Sequence, residues 1–227
     1  MGADSSGQLP LQLQLRDSAT FDNFLEEGNE LALQALRAGG GESLYLWGPP
    51  GCGKSHLLQA ACHASPTAVY LPLGGIEGAQ PALFDGLEAI PVVAIDDLGV
   101  IAGDPEWEIA LFHLYNRIRE AGGRLLCAAD HSPAALGLAL PDLVTRLGWG
   151  LVFRLQILSD AGRRRALQRR ARRRGFELPD EVADYLLRRQ PRDMNSLFVL
   201  LERLDEASLA AQRRLTIPFV RGLLQEG

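Results

Sequence analysis

The chain has 227 residues, a formal net charge of −5 and a hydrophobic fraction of 47%. That balance excludes a low-complexity or charge-swollen disordered chain, and it leaves room for one sizeable core or for an α/β domain with a small appendage. No apolar run approaches the ~18–20 residues that span a bilayer, and the start MGADSSGQLP lacks the cationic and apolar parts of a secretory signal.

In chain order, residues 1–14 read as an irregular leader and 20–24 open the globular part. A helix is predicted over about 26–37, with Leu31, Leu33 and Leu36 among its apolar positions, ending at Gly39-Gly40-Gly41. The short apolar run 43–47, bounded by glycines, has the signature of a buried strand, and 56–64 that of a helix. Further strands are expected at 69–73, 91–95, 124–129 and 151–155. An amphipathic helix at 106–120 has Ile109, Phe112, Leu114 and Ile118 apolar, with Trp107, His113 and Tyr115 reading as packing. A short helix at 142–147 closes at Gly148. Strands alternating with helices indicate an α/β fold whose parallel sheet is covered on both faces.

After about residue 159 the strands stop. Helices are expected at 160–174, 180–190 and 193–211, and a fourth is opened by Pro218, whose missing N–H costs nothing in a first turn. The boundary falls near 156–159, giving an α/β domain over 15–157 and a small all-helical domain over 158–227, without internal repeats. Residues 1–150 carry a net −11 and residues 151–227 a net +6, a split that suits two parts meeting different partners. Three cysteines at wide spacing, Cys52, Cys62 and Cys127, fit a reducing compartment better than a disulfide framework or a metal cluster. Of 23 basic residues only Lys54 is lysine.

That lysine stands in Gly48-Pro49-Pro50-Gly51-Cys52-Gly53-Lys54-Ser55, a full match to G-x-x-x-x-G-K-[ST] with a strand before it and a helix after it. Glycines let backbone N–H groups curl around a phosphate, and the helix N-terminus adds partial positive charge. Pro50, Gly51, Cys52, Gly53, Lys54, Ser55 and His56 are therefore candidates for nucleotide binding, Lys54 for the β/γ oxygens and Ser55 for Mg2+. The apolar strand Val92-Val93-Ala94-Ile95 ends in Asp96-Asp97. Beside a phosphate loop, Asp96 suits the magnesium acid, acting through bound waters, and Asp97 suits a group that polarises an attacking water.

With these motifs in place the chain resembles the AAA+ ATPases, and within them the DnaA initiator group. The likeness runs over nearly the whole chain. It is carried by Thr20-Phe21-Asp22-Asn23-Phe24, the phosphate loop, Asp96-Asp97 where most of the family has Asp-Glu, the strand ending in Asp130 before Ser132-Pro133, and Thr145-Arg146-Leu147-Gly148-Trp149-Gly150. The tail, 170–179 and 210–219, looks like the group's short regulatory members, which inactivate the initiator of bacterial replication. Initiators continue past the lid into a helix-turn-helix domain, whereas this sequence ends at Gly227, so the expectation is a regulator.

The resemblance implies an AAA+ P-loop core followed by a helical lid, bound ADP or ATP with Mg2+, and two protein partners, the initiator DnaA and the DNA polymerase III sliding clamp (its beta subunit). Gln8, Leu9, Leu11 and Leu13 resemble a short clamp-binding motif, from which Pro10 and Gln12 depart. Self-association is compatible with the family, DNA contact would be indirect or weak, and the location would be cytoplasmic, at the nucleoid through the clamp. Arg146 matches the arginine finger that reaches a neighbour's nucleotide; standing alone it would read as an exposed helix arginine paired with Asp142. Asp130 occupies the sensor-1 position. Asn195 stands where initiators carry the sensor-2 arginine and Arg192 could substitute, a departure that favours a resident ADP and weak intrinsic turnover. Phe21 and Phe24 fit either an adenine pocket or plain core packing. The stretch 163–174 holds eight arginines in twelve residues; without interleaved aromatics it reads as a solvated or partner-facing surface more than a nucleic-acid contact. A stand-alone ATPase such as a helicase loader is the alternative, and the long helical tail disfavours a small-molecule kinase.

Overall fold

The computed structural model describes residues 19–189, 194–211 and 213–225. Five strands, β1 (Leu44–Trp47), β2 (Ala68–Pro72), β3 (Val92–Asp96), β4 (Arg124–Ala129) and β5 (Leu151–Arg154), pair in the order β2-β3-β4-β1-β5. Every pairing is parallel: Ala94 lies between Tyr70 and Leu126, and Tyr45 between Cys127 and Val152. One edge of the sheet therefore collects the C-terminal ends of all strands, among them Trp47, Asp96 and Ala129.

The strands are apolar on both sides because helices cover both sides. On one face Tyr45, Val93, Ile95, Leu125 and Cys127 pack with α3 (Pro105–Glu120) and α4 (Pro141–Trp149). On the other, Leu44, Leu46, Ala94, Leu126 and Ala128 pack with α1 (Glu30–Ala38) and α2 (Lys54–His63). Alternation of successive side chains sorts each strand between these two layers. A third apolar cluster, including Leu167, Val182, Leu186, Leu201 and Val220, is built by α5 (Asp160–Arg173), α6 (Asp180–Arg189), α7 (Met194–Ala211) and α8 (Ile217–Gln225). Among the described residues no helix is long and apolar enough to cross a membrane.

Several elements differ from the sequence expectation. The first helix begins at Glu30 instead of 26, because Gly28 is left-handed (φ 77°) and Asn29 is committed elsewhere. The buried Asn29 amide donates to the Gln156 carbonyl at 3.0 Å and accepts from the Gln156 N–H at 2.8 Å, fastening the start of α1 to the exit of β5. Ile109 is 48% exposed, since Glu108, Leu111, Tyr115 and Ile118 form the stripe that faces the sheet and Ile109 lies one residue off it. His113 is exposed beside Phe112 instead of packed inside. Gly148 does not close α4, which runs on to Trp149; burial of Leu143 and Leu147 outweighs glycine's cost of about 1 kcal/mol. Pro218 is the second residue of α8. Between β2 and β3 the chain folds into short 3-10 turns, where Phe84 is buried against Trp107, ring centres 5.2 Å apart and edge-on.

Two buried charges, Arg124 and Glu108, take their hydrogen bonds from backbone groups. Arg124 donates to the carbonyls of Ala35 (2.9 Å), Glu42 (3.1 Å) and Leu36 (3.3 Å), so a guanidinium caps the negative end of α1. Burial lowers its pKa from the ordinary arginine value. Glu108, 0% exposed, accepts from the N–H groups of Gly103 (2.7 Å), Ala139 (3.0 Å) and Leu140 (2.7 Å), tying α3 to the entrance of α4.

Candidate functional site

The glycine-rich loop joins β1 to α2 at the C-terminal edge of the sheet. Two of its glycines are required by close approach. A Cβ on Gly48 would stand 2.7 Å from the Leu155 carbonyl oxygen. One on Gly53, itself at φ 99°, would stand 2.7 Å from the Phe24 ring. The loop is thus clamped between the exit of β5 and Phe24. Pro50 and Gly51 form its exposed crest, while Cys52 is buried beneath, its thiol pKa raised by burial. Gly53 brings no side chain to the N-cap of α2, which leaves the first-turn N–H groups free of a cap.

Lys54 is only 7% exposed. Its ammonium donates to the Gly48 carbonyl at 2.8 Å, the Asp130 carboxylate at 2.9 Å and the Pro49 carbonyl at 3.4 Å, so all three of its donors are engaged. Asp130 follows β4 directly, and the Tyr45 hydroxyl pins the next residue by donating to the His131 carbonyl at 3.0 Å.

Asp96 ends β3 and is 1% exposed. Its carboxylate accepts from the Tyr70 hydroxyl at 2.8 Å and from the Asp97 N–H at 3.0 Å. Ser55 and Gln59 also act on this phenol, which brings Ser55 and Asp96, the two metal candidates, to the neighbourhood of one tyrosine. Burial, then the Asp96 charge, pushes the Tyr70 phenol up. Asp97 is the one non-glycine residue with positive φ (59°) among the described residues. Partial burial, followed by the charges of Asp96 and Asp130, raises its carboxyl pKa against the opposing pull of Lys54. Lys54, Asp96, Asp97 and Asp130 therefore form one electrostatic cluster drawn from three loops. Magnesium takes one or two protein oxygens and keeps several waters, which the pair Ser55 and Asp96 fits. Among the described residues no group of three or more His, Cys, Asp or Glu could hold a metal.

Phe24 is a core aromatic under the loop, with the His56 ring 5.6 Å away. His56 in turn hydrogen-bonds the Thr20 carbonyl at 2.9 Å. Phe21 is half-buried with the Arg37 guanidinium 5.8 Å from its ring centre.

Arg146 does not pair with Asp142. Its guanidinium stacks 4.0 Å from the ring centre of Trp149 and 5.9 Å from that of Phe112, with Arg119 on Trp149 at 5.3 Å. Trp149 itself is 57% exposed. Neither Phe112 nor Trp149 belongs to the Lys54 cluster. In the basic stretch 163–174, Arg165, Arg169, Arg172, Arg173 and Arg174 are exposed, as a solvated face requires, and several of its arginines are also paired. Arg163 pairs with Asp160, Arg164 with Asp184, Arg165 with Glu27, and Arg170 and Arg174 with Glu202, while Arg169 donates to the Asp22 carbonyl. Leu167 and Ala171 form its buried stripe as expected. Gln8, Leu9, Leu11, Leu13 and Arg192 lie outside the described residues, as does the side chain of Asn195. Tyr70 escaped the sequence reading because it belongs to no motif; only its position one strand from Asp96 could have found it.

Two family models match the chain: "Hda, lid domain" over residues 160–224 and "Bacterial DnaA ATPAse domain" over residues 80–154. Among solved structures, AMPPCP-bound DnaA from Aquifex aeolicus is 24% identical at a TM-score of 0.69, covering 83% of this chain and 66% of that one. Domain III of the Thermotoga maritima replication initiation protein DnaA is 21% identical at a TM-score of 0.76, covering 93% and 97%. The Thermotoga maritima RuvB Holliday junction branch migration motor is 19% identical at 0.70, covering 93% and 72%. The chain spans just under two thirds, 65%, of a DNA replication initiation factor that it matches at 24% identity. At these identities the structural likeness speaks to the fold.

Proposed function

We propose, for a chain that is an AAA+ protein of the Hda/DnaA kind, a nucleotide-binding regulator of the replication initiator. In this reading residues 15–157 hold ADP or ATP, 158–227 form the lid, and 1–14 attach the protein to the sliding clamp. Arg146 is then presented to ATP bound by DnaA and stimulates its hydrolysis, which limits initiation. The observation that carries the reading is the state of Arg146: half-buried, stacked on an exposed tryptophan, and without an ion pair among the described residues. A guanidinium brought to a neighbour's γ-phosphate neutralises charge developing in phosphoryl transfer, an effect worth about 10³–10⁵ in rate.

At the chain's own phosphate loop, a nucleotide's phosphates would take over Lys54 from the Gly48 carbonyl and Asp130. Ser55 and Asp96 would hold Mg2+, and the bound ion would offset phosphate charge. Asp97 and Asp130 would contact the terminal phosphate or a water beside it.

The test is DnaA-bound ATP turnover in the presence of clamp loaded on DNA. Stimulation by the wild-type chain should fall at least tenfold in Arg146→Ala; full stimulation by that variant would sink the finger assignment. Removing residues 1–14 should abolish clamp retention, and unchanged retention would sink the leader assignment. The clustering of Asp97 with Lys54 and Asp130 also supports a second reading, an ATPase acting alone. It requires substantial turnover by the isolated protein, lost in Asp97→Ala.

A further inference from the structure

Arg146 and Trp149 stand three residues apart on α4, so their side chains share one face of that helix. The helix is fixed from its other side, where Leu143 and Leu147 are buried in the layer that packs on the sheet. Its far end cannot slip either. Gly150 follows Trp149 directly, and a Cβ there would overlap the Ser43 carbonyl oxygen, to which the Leu151 N–H donates at 3.0 Å. Trp149 is therefore carried by backbone that packing holds on both sides, although the residue is 57% exposed.

The indole gathers two cations. The Arg146 guanidinium lies 4.0 Å from its ring centre, and that of Arg119, from the last turn of α3, lies 5.3 Å away. Neither has a carboxylate partner among the described residues, whereas Arg165 has Glu27 and Arg170 has Glu202. The contrast with Lys54 is sharper still, since two carbonyls and the Asp130 carboxylate take all its donors. A stacked guanidinium is held through its face, so the N–H donors in its plane stay available and its charge is not neutralised. A carboxylate would fix Arg146 too, but it would occupy the fork and cancel the charge. With no partner of either kind, so long a side chain samples many rotamers.

We infer that Trp149 is a positioning residue for Arg146: its ring orders the guanidinium in the free protein while leaving the fork open to a nucleotide phosphate on a partner chain. This inference rests on the finger reading above and adds the device that keeps the finger in place. Ordering a reacting group before the encounter removes part of the entropy that the catalysed step would otherwise lose, so the effect falls on the maximal rate. An exposed tryptophan that served only as a docking anchor would act on affinity instead. The two roles separate kinetically.

The test follows turnover of DnaA-bound ATP, with clamp loaded on DNA, against increasing concentrations of the full chain. Trp149→Ala and Trp149→Leu should each lower the maximal stimulated rate about tenfold, with the half-saturating concentration within about twofold of wild type. Trp149→Phe restores an aromatic face and should recover most of the rate. In parallel, the Arg146 Nε–H resonance is assigned by its absence in Arg146→Ala. It should be shifted upfield by the ring in wild type, and should move to the free-arginine position with a lower order parameter in Trp149→Ala and Trp149→Leu. Because Trp149 lies outside the buried core, these variants should fold, which melting curves verify. A full maximal rate in Trp149→Ala, a rise in half-saturating concentration alone, or an Arg146 resonance indifferent to these substitutions overturns the inference. Absence of stimulation by the wild type, or full stimulation by Arg146→Ala, overturns the finger reading and this inference with it. Loss in Arg146→Ala with the maximal rate kept in Trp149→Ala overturns this inference alone.

Discussion

Glu108→Gln isolates the buried carboxylate that ties α3 to the entrance of α4. The substitution keeps the volume and one carbonyl oxygen. That oxygen can replace Oε1, which accepts from Gly103 and Ala139 at 2.7 and 3.0 Å. The new amide nitrogen lands where Oε2 accepted from Leu140 at 2.7 Å, so a donor meets a donor. One buried N–H is orphaned at about 1–3 kcal/mol, and two remaining bonds lose their charge assistance at roughly 0.5–1 kcal/mol each. Relief from burying an unpaired carboxylate returns part of this. The net expectation is a loss of about 2–4 kcal/mol. For a chain of this size that corresponds to a fall in melting temperature of roughly 5–15 °C. Urea unfolding followed by circular dichroism should show a lowered midpoint at unchanged slope, and hydrogen exchange should quicken first at Ala139 and Leu140. A melting temperature within about 2 °C of wild type would refute the claim that these three amides depend on the carboxylate.

Asp97 has a raised pKa, so its contribution favours folding below the ordinary carboxyl pKa and is lost as pH rises through the folded value. Asp97→Asn should therefore raise thermal stability at pH 7, by less than about 1 kcal/mol because solvent screens an exposed group, and the gain should vanish near pH 4; a gain independent of pH would contradict this origin. Gly53→Ala meets the Phe24 ring in a left-handed conformation, and should cost about 1–3 kcal/mol and weaken ADP binding in a fluorescence titration, whereas an unchanged titration would show that the loop can shift. Arg124→Met strips three carbonyl acceptors of their donor and should cost about 2–4 kcal/mol in chemical denaturation, with exchange accelerated along α1; a neutral effect would mean that water replaces the guanidinium.

The parallel sheet and its strand positions were legible because burial on both faces makes each strand a short apolar run between turn or polar residues, and 92–95, between Pro91 and Asp96, and 125–129, between Arg124 and Asp130, stand out as such. The phosphate loop was legible because its glycines, Lys54 and Ser55 stand at a fixed spacing between a strand and a helix, although Gly48 and Gly53 also answer to the distant Leu155 and Phe24. What periodicity missed is long-range. Asn29 caps nothing and clasps Gln156 instead, which delays α1. Ile109 was misplaced since apolarity was read without the buried Glu108 beside it, and a buried glutamate is recognisable only once three distant amides surround it. Tyr70 meets Asp96 across neighbouring strands, and Arg146 prefers Trp149 to Asp142, choices that depend on tertiary packing. The pairing of α5 arginines with Glu27, Asp184, Glu202 and Asp205 was hidden for the same reason: composition counts charges without showing where their partners fold.

Lys54, saturated by two carbonyls and the Asp130 carboxylate, makes the arrival of a phosphate an exchange of partners. The loop supplies its own counter-charge beforehand, so on the proposed reading an incoming anion would gain only the difference between two bonding arrangements. What is displaced is a carboxylate at the tip of β4. On the proposed reading, a filled loop and a free one would differ in whether the Asp130 carboxylate at the tip of β4 is paired with Lys54 or turned to the phosphate and its water.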